Sequence, residues 1–224
     1  MKIKSQPAAK YRSYPGLFIS LEGIEGTGKT TQAAYLAERL SKCGIDVLLT
    51  QEPGGTVIGK RIREILLLPD HGEMSFMTEL LLYNAARAQL LAEKIIPALK
   101  EGKTVITDRF SDSTVAYQGY GRGIDRALIA SLDEMATKGT RPDLTLLFDL
   151  DIETGLRRNR KINKIDRLEL EDIEFHRKVM EGFRDIARTD HGRIRIIDAS
   201  VPLAEVQEQA WEIVSAEMKE RGLL

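Results

Sequence analysis

Gly23 is followed after four residues by Gly28-Lys29-Thr30, which gives the spacing G-x-x-x-x-G-K-[ST]. The apolar run Leu17-Phe18-Ile19-Ser20-Leu21 stops just before it, and an amphipathic pattern starts just after it. This set of residues is suited to holding phosphate. Glycines at these points let the backbone curl so that several N–H groups face one anion. The helix behind them adds the positive end of its dipole. Gly23, Ile24, Glu25, Gly26, Thr27, Gly28, Lys29 and Thr30 therefore form a candidate nucleotide-phosphate cradle, with Lys29 reaching the β/γ phosphates and the Thr30 hydroxyl available to Mg²⁺. Glu25 is awkward among phosphate-binding N–H groups. It fits either a hydrogen bond to a sugar hydroxyl, a place near a metal, or a side chain turned to solvent.

Further residues with chemical potential lie downstream. Asp108-Arg109-Phe110 closes the apolar run Thr104-Val105-Ile106-Thr107. A carboxylate there can hold a Mg²⁺ shell and a guanidinium beside it can grip phosphate, although a surface ion pair has the same spelling. Tyr83 and Arg87 are four apart and share a helical face, where a ring and a guanidinium could take a nucleobase; an ordinary interface pair would look alike. Arg157 to Arg167 carries six basic residues against one acid. Such a segment is either a solvated charged helix or a mobile lid that brings cations to a transferring phosphoryl group. Asn163-Lys164-Ile165-Asp166 spells N-K-x-D, but it follows a polar basic stretch rather than a buried strand, so it reads as coincidence.

These residues need a scaffold. The pattern predicts helices over about 29–43, 57–68, 76–91 with a kink at Pro97, 111–117, 125–137, from 152 into the basic segment, 169–188, and from Pro202 onward. Between them lie apolar runs ending at Leu21, Thr50, Asp108, Leu150 and Asp198. Strand–helix alternation predicts an α/β fold: a P-loop NTPase-type doubly wound sheet of five parallel strands flanked by helices, with a small basic lid. Its ligands belong beyond the carboxyl ends of the strands. Residues 1–15 read as a flexible basic leader and 16–224 as a single domain, with the lid at about 157–167.

A net charge of −1 gives no global field for nucleic acid or an anionic membrane surface. No apolar run is long enough to span a bilayer. The single cysteine, Cys43, and the lack of a secretory pattern fit a cytoplasmic enzyme.

The ordered set resembles the thymidylate kinase (dTMP kinase) family across nearly the whole chain from Leu17. The matching stretches are Leu21-Glu22-Gly23 through Gln32, Glu52-Pro53-Gly54-Gly55-Thr56, Ala86-Arg87-Ala88-Gln89, Asp108-Arg109-Phe110, Ser113, Tyr117-Gln118-Gly119, Arg141-Pro142-Asp143-Leu144 and Asp166-Arg167-Leu168-Glu169. The resemblance implies phosphoryl transfer from ATP, with Mg²⁺, to dTMP. It implies that Glu25 faces the sugar 3′-hydroxyl of the acceptor, Tyr83 stacks on thymine, Arg87 hydrogen-bonds the base with Gln118 assisting, Arg109 grips the acceptor phosphate and Tyr117 crowds the sugar 2′ position. The P-loop's variable positions hold no base here, so the resemblance is to the lid-arginine type, with Arg158 and Arg160 as the leading catalytic cations. Gln51, Phe110 and Asn163-Lys164 depart from the family's usual Arg, Tyr and Gly-plus-acid. The family is commonly a homodimer, and apolar residues on more than one face of 76–91 are compatible with that. The alternatives are another P-loop nucleoside or nucleotide kinase, or a nucleotide-binding regulator without turnover.

Overall fold

The computed structural model describes residues 14–160 and 166–224, apart from the Arg160 side chain. Most of the basic leader, the centre of the lid and Asn163-Lys164-Ile165 of the N-K-x-D run lie outside the described residues. One sheet of five parallel strands runs in the order β2-β3-β1-β4-β5. The strands are β1 (Phe18–Glu22), β2 (Val47–Gln51), β3 (Thr104–Asp108), β4 (Leu144–Asp149) and β5 (Ile194–Asp198). β1 is central and buried throughout because both its neighbours and both its faces are covered. From it the chain pairs outward to β3 on one side and β4 on the other, so the end of β1 is the point where strand order reverses. The pairing Leu21↔Asp108 and Gln51↔Asp108 brings the carboxyl ends of three strands to one rim.

Side chains alternate across the sheet as the two-residue strand period requires. Leu17, Ile19, Leu21, Leu146 and Phe148 face α1 (Lys29–Lys42) and α9 (Leu203–Glu220), which press Leu36, Leu40, Val206, Ala210 and Val214 onto them. On the opposite face, Leu147 packs with Phe175, Val179 and Phe183 of α8 (Ile173–Thr189), while Phe18 and Val105 pack with Leu90, Leu91 and Leu99. Arg193 forks onto both oxygens of Asp112 at 2.7 and 2.9 Å, which ties β5 to the short helix α5 (Ser111–Thr114) below the rim.

Three local departures from the expected elements have physical causes. The break expected at Pro97 falls one turn earlier. α3 (Phe76–Leu90) widens into a π turn over Leu91–Ile95 before α4 (Ile96–Lys100). Pro97 has no N–H, and its ring would strike the carbonyl four residues back, so the widened turn relieves both problems. The expected helix over 111–117 is only α5, followed by a second π turn over Val115–Gly121, closed by Arg122 N–H donating to the Tyr117 carbonyl at 2.9 Å. The helix expected from Glu169 begins at Ile173. Asp166 Oδ1 takes the N–H groups of Leu168 and Glu169 into a turn, and Asp172 caps α8 by accepting from Phe175 N–H at 2.7 Å.

The remaining helices are α2 (Val57–Leu67), α6 (Arg126–Thr137) and α7 (Ile152–Arg160). Thr56 caps α2 and Asp125 caps α6. Of the residues at helical spacing in α6, Ile129 is buried, while Leu128 and Met135 are exposed. Among the described residues no helix is long and apolar enough to cross a membrane.

Candidate active site

The loop after β1 curls over the amino end of α1. Gly28, the residue before α1, has φ 88°, and a Cβ there would meet nothing within 4 Å; its left-handed backbone is the reason for glycine. At Gly26, φ 74°, a Cβ would lie 2.1 Å from the Gly155 carbonyl oxygen, so the loop is seated directly on α7. Thr27 Oγ1 donates to the Ile24 carbonyl at 2.9 Å and fixes the curl. No acidic side chain occupies the first turn of α1 and no side chain caps it, so its dipole is left for an external anion.

Lys29 folds across the loop, donating to the Ile24 carbonyl at 2.7 Å and to Thr27 Oγ1 at 3.3 Å. Burial first and the Arg109 charge second bring its pKa down to about 8, against the pull of Asp108, Glu25 and Glu22. A buried ammonium resting on a carbonyl is poised to exchange that contact for phosphate. Thr30 Oγ1 donates to Asp108 Oδ2 at 2.5 Å, so a hydroxyl and a carboxylate meet at the cradle's edge. Among the described residues no group of three or more His, Cys, Asp or Glu could hold a metal. Two hard oxygen donors suit a cation that takes its other ligands from phosphate and water, as Mg²⁺ does.

Arg109 lies opposite. Its backbone has φ 72°, a strained conformation for a side chain with a Cβ. That turn brings the guanidinium back over the rim. Nη1 donates to the Gly23 carbonyl at 2.9 Å and to Ser113 Oγ at 3.1 Å; Nη2 donates to Glu25 Oε1 at 2.9 Å and to Tyr117 Oη at 3.2 Å. Ser113 in turn donates to Glu22 Oε2 at 2.5 Å, and Phe110 N–H donates to Glu22 Oε1 at 2.7 Å. Burial and the Asp112 charge nevertheless push Glu22 up to about 8.

Glu25 Oε1 also accepts from Tyr117 Oη at 2.6 Å, while its Oε2 is buried with no hydrogen-bond partner among the described residues. Burial opposes its charge, but Arg109 and Lys29 outweigh burial and hold the pKa below the usual carboxylate value. Glu25 is thus an ionised acceptor with one oxygen unfilled, and the side chain does not turn to solvent.

Tyr83, Arg87 and Gln118 line the same cleft, which encloses about 880 Å³, a volume suited to small-molecule ligands. Arg87 is buried. Its Nε donates to Glu52 Oε2 at 2.8 Å, Nη1 to Asp133 Oδ1 at 3.1 Å and Nη2 to Thr114 Oγ1 at 2.9 Å, and it sits 5.1 Å over the Phe110 ring. The other oxygen of Glu52 has no partner among the described residues, and burial pushes this carboxyl up to about 7. At the far end Ala199, Val201, Leu203 and Val206 make an apolar mouth. Arg158 reaches it from α7 and donates to the Ala199 carbonyl at 3.1 Å. Arg157 instead bonds Thr154 on its own helix and does not line the cleft. Of the candidate residues, Glu25 to Thr30, Tyr83, Arg87, Asp108, Arg109, Ser113, Tyr117, Gln118 and Arg158 line this cleft, Gly23 joins it only through its carbonyl's bond to Arg109, Ile24 is buried in the core, and the Arg160 side chain lies outside the described residues.

Three further residues contribute to the site without a role assigned by any motif. Arg63 of α2 lines the cleft and donates to the Pro53 carbonyl at 2.9 Å. Glu52 opens the stretch Glu52–Thr56, whose spelling carries no sign that it pairs with Arg87. Glu79 is wholly buried and anchors Gln118. The available signal for Glu79 is spacing: it lies one turn before Tyr83 and two before Arg87, and it is the one acid of α3.

Known proteins resemble this chain over most of its length. The family model described as thymidylate kinase matches residues 21–210. A thymidylate kinase of Syntrophotalea carbinolica is 50% identical over 200 residues, covering 87% of this chain and 93% of the relative. One of Pelobacter propionicus is 49% identical over 199 residues, covering 86% and 91%. Among solved structures, the thymidylate kinase of Ehrlichia chaffeensis superposes with a TM-score of 0.74 at 36% identity, over 89% of this chain and 98% of that one. The P-loop, the arginine on the facing rim and the arginine-bearing α7 that meet in this cleft are thus carried by a chain that belongs to the thymidylate kinase family.

Proposed function

We propose that this chain transfers the γ-phosphoryl group of ATP to dTMP, giving ADP and dTDP, with Mg²⁺ required. The observation that carries the reading is the position of Arg109, whose guanidinium touches the P-loop carbonyl of Gly23 on one side and Glu25 and Tyr117 on the other. One cation thereby joins the donor cradle to the acceptor pocket.

The chemistry needs no covalent enzyme intermediate. An acceptor phosphate oxygen bonds to the γ-phosphorus as the bond to the β,γ-bridging oxygen breaks. Lys29 and the N–H groups opening α1 hold donor phosphates, and Arg109 holds the acceptor phosphate. Bound Mg²⁺ would neutralise phosphate charge from the side of Thr30 and Asp108. Arg158 and Arg160 supply cations over the transferring group and, with the lid, exclude water. The unfilled oxygen of Glu25 takes the sugar 3′-hydroxyl, Tyr117 narrows the space for a 2′-hydroxyl, and Tyr83 stacks on the base while Arg87, Gln118 and Ser113 set its pocket.

A cytoplasmic homodimer completes the reading. Phe76, Met77 and Leu81 on α3 and Val57, Ile58 and Ile65 on α2 are exposed apolar side chains on helices that pack together, which a second copy would cover. A coupled ADP-release assay across dTMP, dUMP, AMP, GMP and CMP tests the activity. Preference for dTMP is expected, and preference for any purine monophosphate would remove the assignment.

A further inference from the structure

We propose that Glu79 is a positioning residue that locks the Gln118 amide with its carbonyl toward the cleft, and so selects acceptors whose ring carries an N–H at N3. This deepens the reading of the chain as a dTMP kinase and rests on it. Glu79 is wholly buried on α3, one turn before Tyr83. It receives donors from two other segments: Gln118 Nε2 at 2.8 Å, Arg122 Nε and Nη2 at 3.2 and 3.1 Å, and Arg167 Nη2 at 2.5 Å. Burial disfavours its charge, but the arginines and the amide outweigh burial and keep its pKa below the usual value.

An ionised carboxylate only accepts hydrogen bonds. Gln118 can therefore turn only its NH₂ toward Glu79. A neutral neighbour able to donate would leave both orientations of the amide open. With the NH₂ committed, the side-chain carbonyl oxygen is left over. It accepts from no described residue, and Gln118 lines the cleft. Thymine and uracil have an N–H between their two carbonyls, which this oxygen can accept. Cytosine has a lone pair at the same ring position, which it would repel. A site built to pair a particular donor rejects the analogue lacking it far more strongly than an apolar pocket rejects a change of size.

Glu79 is also held structurally. Arg122 bridges to Glu171 at 2.6 Å and lies between the Phe76 and Phe175 rings, and Arg167 donates to the Leu66 carbonyl at 3.0 Å. The test must therefore separate selectivity from general damage. The kcat/KM values for dTMP and dCMP are measured for the wild-type chain, Glu79→Gln and Gln118→Met, with melting temperatures recorded. Glu79→Gln can donate to Gln118 and frees its orientation; Gln118→Met keeps Glu79 and its arginines but removes the carbonyl. A fall of about tenfold or more in the dTMP/dCMP ratio is expected for both variants. Equal losses on both nucleotides would overturn the proposal, because a purely structural role scales both alike.

Should Glu79→Gln not fold, the side-chain NH₂ resonance of Gln118 in the wild-type protein, assigned by its loss in Gln118→Met, decides. Little movement on adding dTMP is expected, and a large movement would mean that the NH₂ faces the base. Wild-type protein that does not phosphorylate dTMP would sink the activity reading instead, whereas active wild-type with an unchanged ratio in the variants sinks only the role of Glu79.

Discussion

The Thr30 hydroxyl donates to Asp108 Oδ2 across 2.5 Å, joining the first turn of α1 to the last residue of β3. The two oxygens are held together by the sheet register and not by the loop between them. Asp108→Asn keeps the size but removes the charge. The Mg²⁺ concentration for half-maximal activity should rise about 10–100-fold, with the melting temperature little changed. An unchanged magnesium titration would exclude the Asp108 carboxylate from the metal shell.

Lys29 gives a pH prediction. Its folded pKa is lowered from 10.5 to about 8, chiefly by burial. The protonated form is the one that pairs with phosphate, so kcat/KM for ATP should decline as pH rises through about 8. The folded state binds fewer protons than the unfolded state across that window. This residue's contribution to stability is therefore complete above pH 10.5 and is lost as pH falls through about 8. Activity should thus decline while stability improves. Replacement by Arg should remove the descending limb, and a wild-type profile flat to pH 10.5 would refute the assignment.

Gly155 sets helix propensity against packing. In an unconstrained helix Gly→Ala stabilises by about 1 kcal/mol. Here the new Cβ would lie 2.6 Å from the Glu25 carbonyl oxygen and 3.1 Å from the Ile24 side chain. Gly155→Ala should therefore lower the melting temperature and raise KM for ATP, because α7 must lift off the P-loop. A higher melting temperature with unchanged ATP binding would show that α7 moves freely there.

Arg87 is paired with Glu52 where the two side chains are 2% and 3% exposed. Removing one partner of a buried pair costs about 3–5 kcal/mol, because the other is left uncompensated. Arg87→Met should lose about that much in urea denaturation at pH 8. Burial raises the folded pKa of Glu52 from 4.5 to about 7, so its favourable contribution is full below 4.5 and lost as pH rises through about 7. The penalty in Arg87→Met should accordingly be smaller at pH 6 than at pH 8. A penalty independent of pH would assign the loss to packing alone.

For the lid, Arg158→Ala and Arg160→Ala should each lower kcat, by about 10²-fold for the arginine over the transferring phosphoryl group, with little change in KM for dTMP. A pure KM effect in both would mean that the basic segment only attracts nucleotide.

The P-loop was legible in the sequence because its function depends on backbone shape, and backbone shape is spelled by Gly23, Gly26 and Gly28 at fixed spacing. The five parallel strands followed from alternation, since parallel strands need helical crossovers, but their order β2-β3-β1-β4-β5 did not. Long-range pairing was not legible. Nothing in the spacing of Tyr83 and Arg87 foretold that Arg87 would meet Glu52, Asp133 and Thr114 from three separate segments. Glu79 was hidden for the same reason: its partners Gln118, Arg122 and Arg167 lie 39, 43 and 88 positions away. Asp166 defeated the expected start of α8, because a local side-chain turn outcompeted a good helical pattern.

The wide turn over Val115–Gly121 has an evolutionary consequence. A π turn amounts to one residue inserted into an ordinary helix. Removing a single codon there would restore regular winding and rotate everything downstream by about 100° relative to what precedes it. Arg109 and Ser113 precede the turn and would stay put, while Gln118 would swing aside. Tyr117 lies in the same turn and donates to Glu25 at 2.6 Å, so a lineage that altered the winding would change base and sugar recognition together while Arg109 and Ser113 kept their places on the chain. A one-residue deletion variant that folds and retains its original acceptor preference would argue against that linkage.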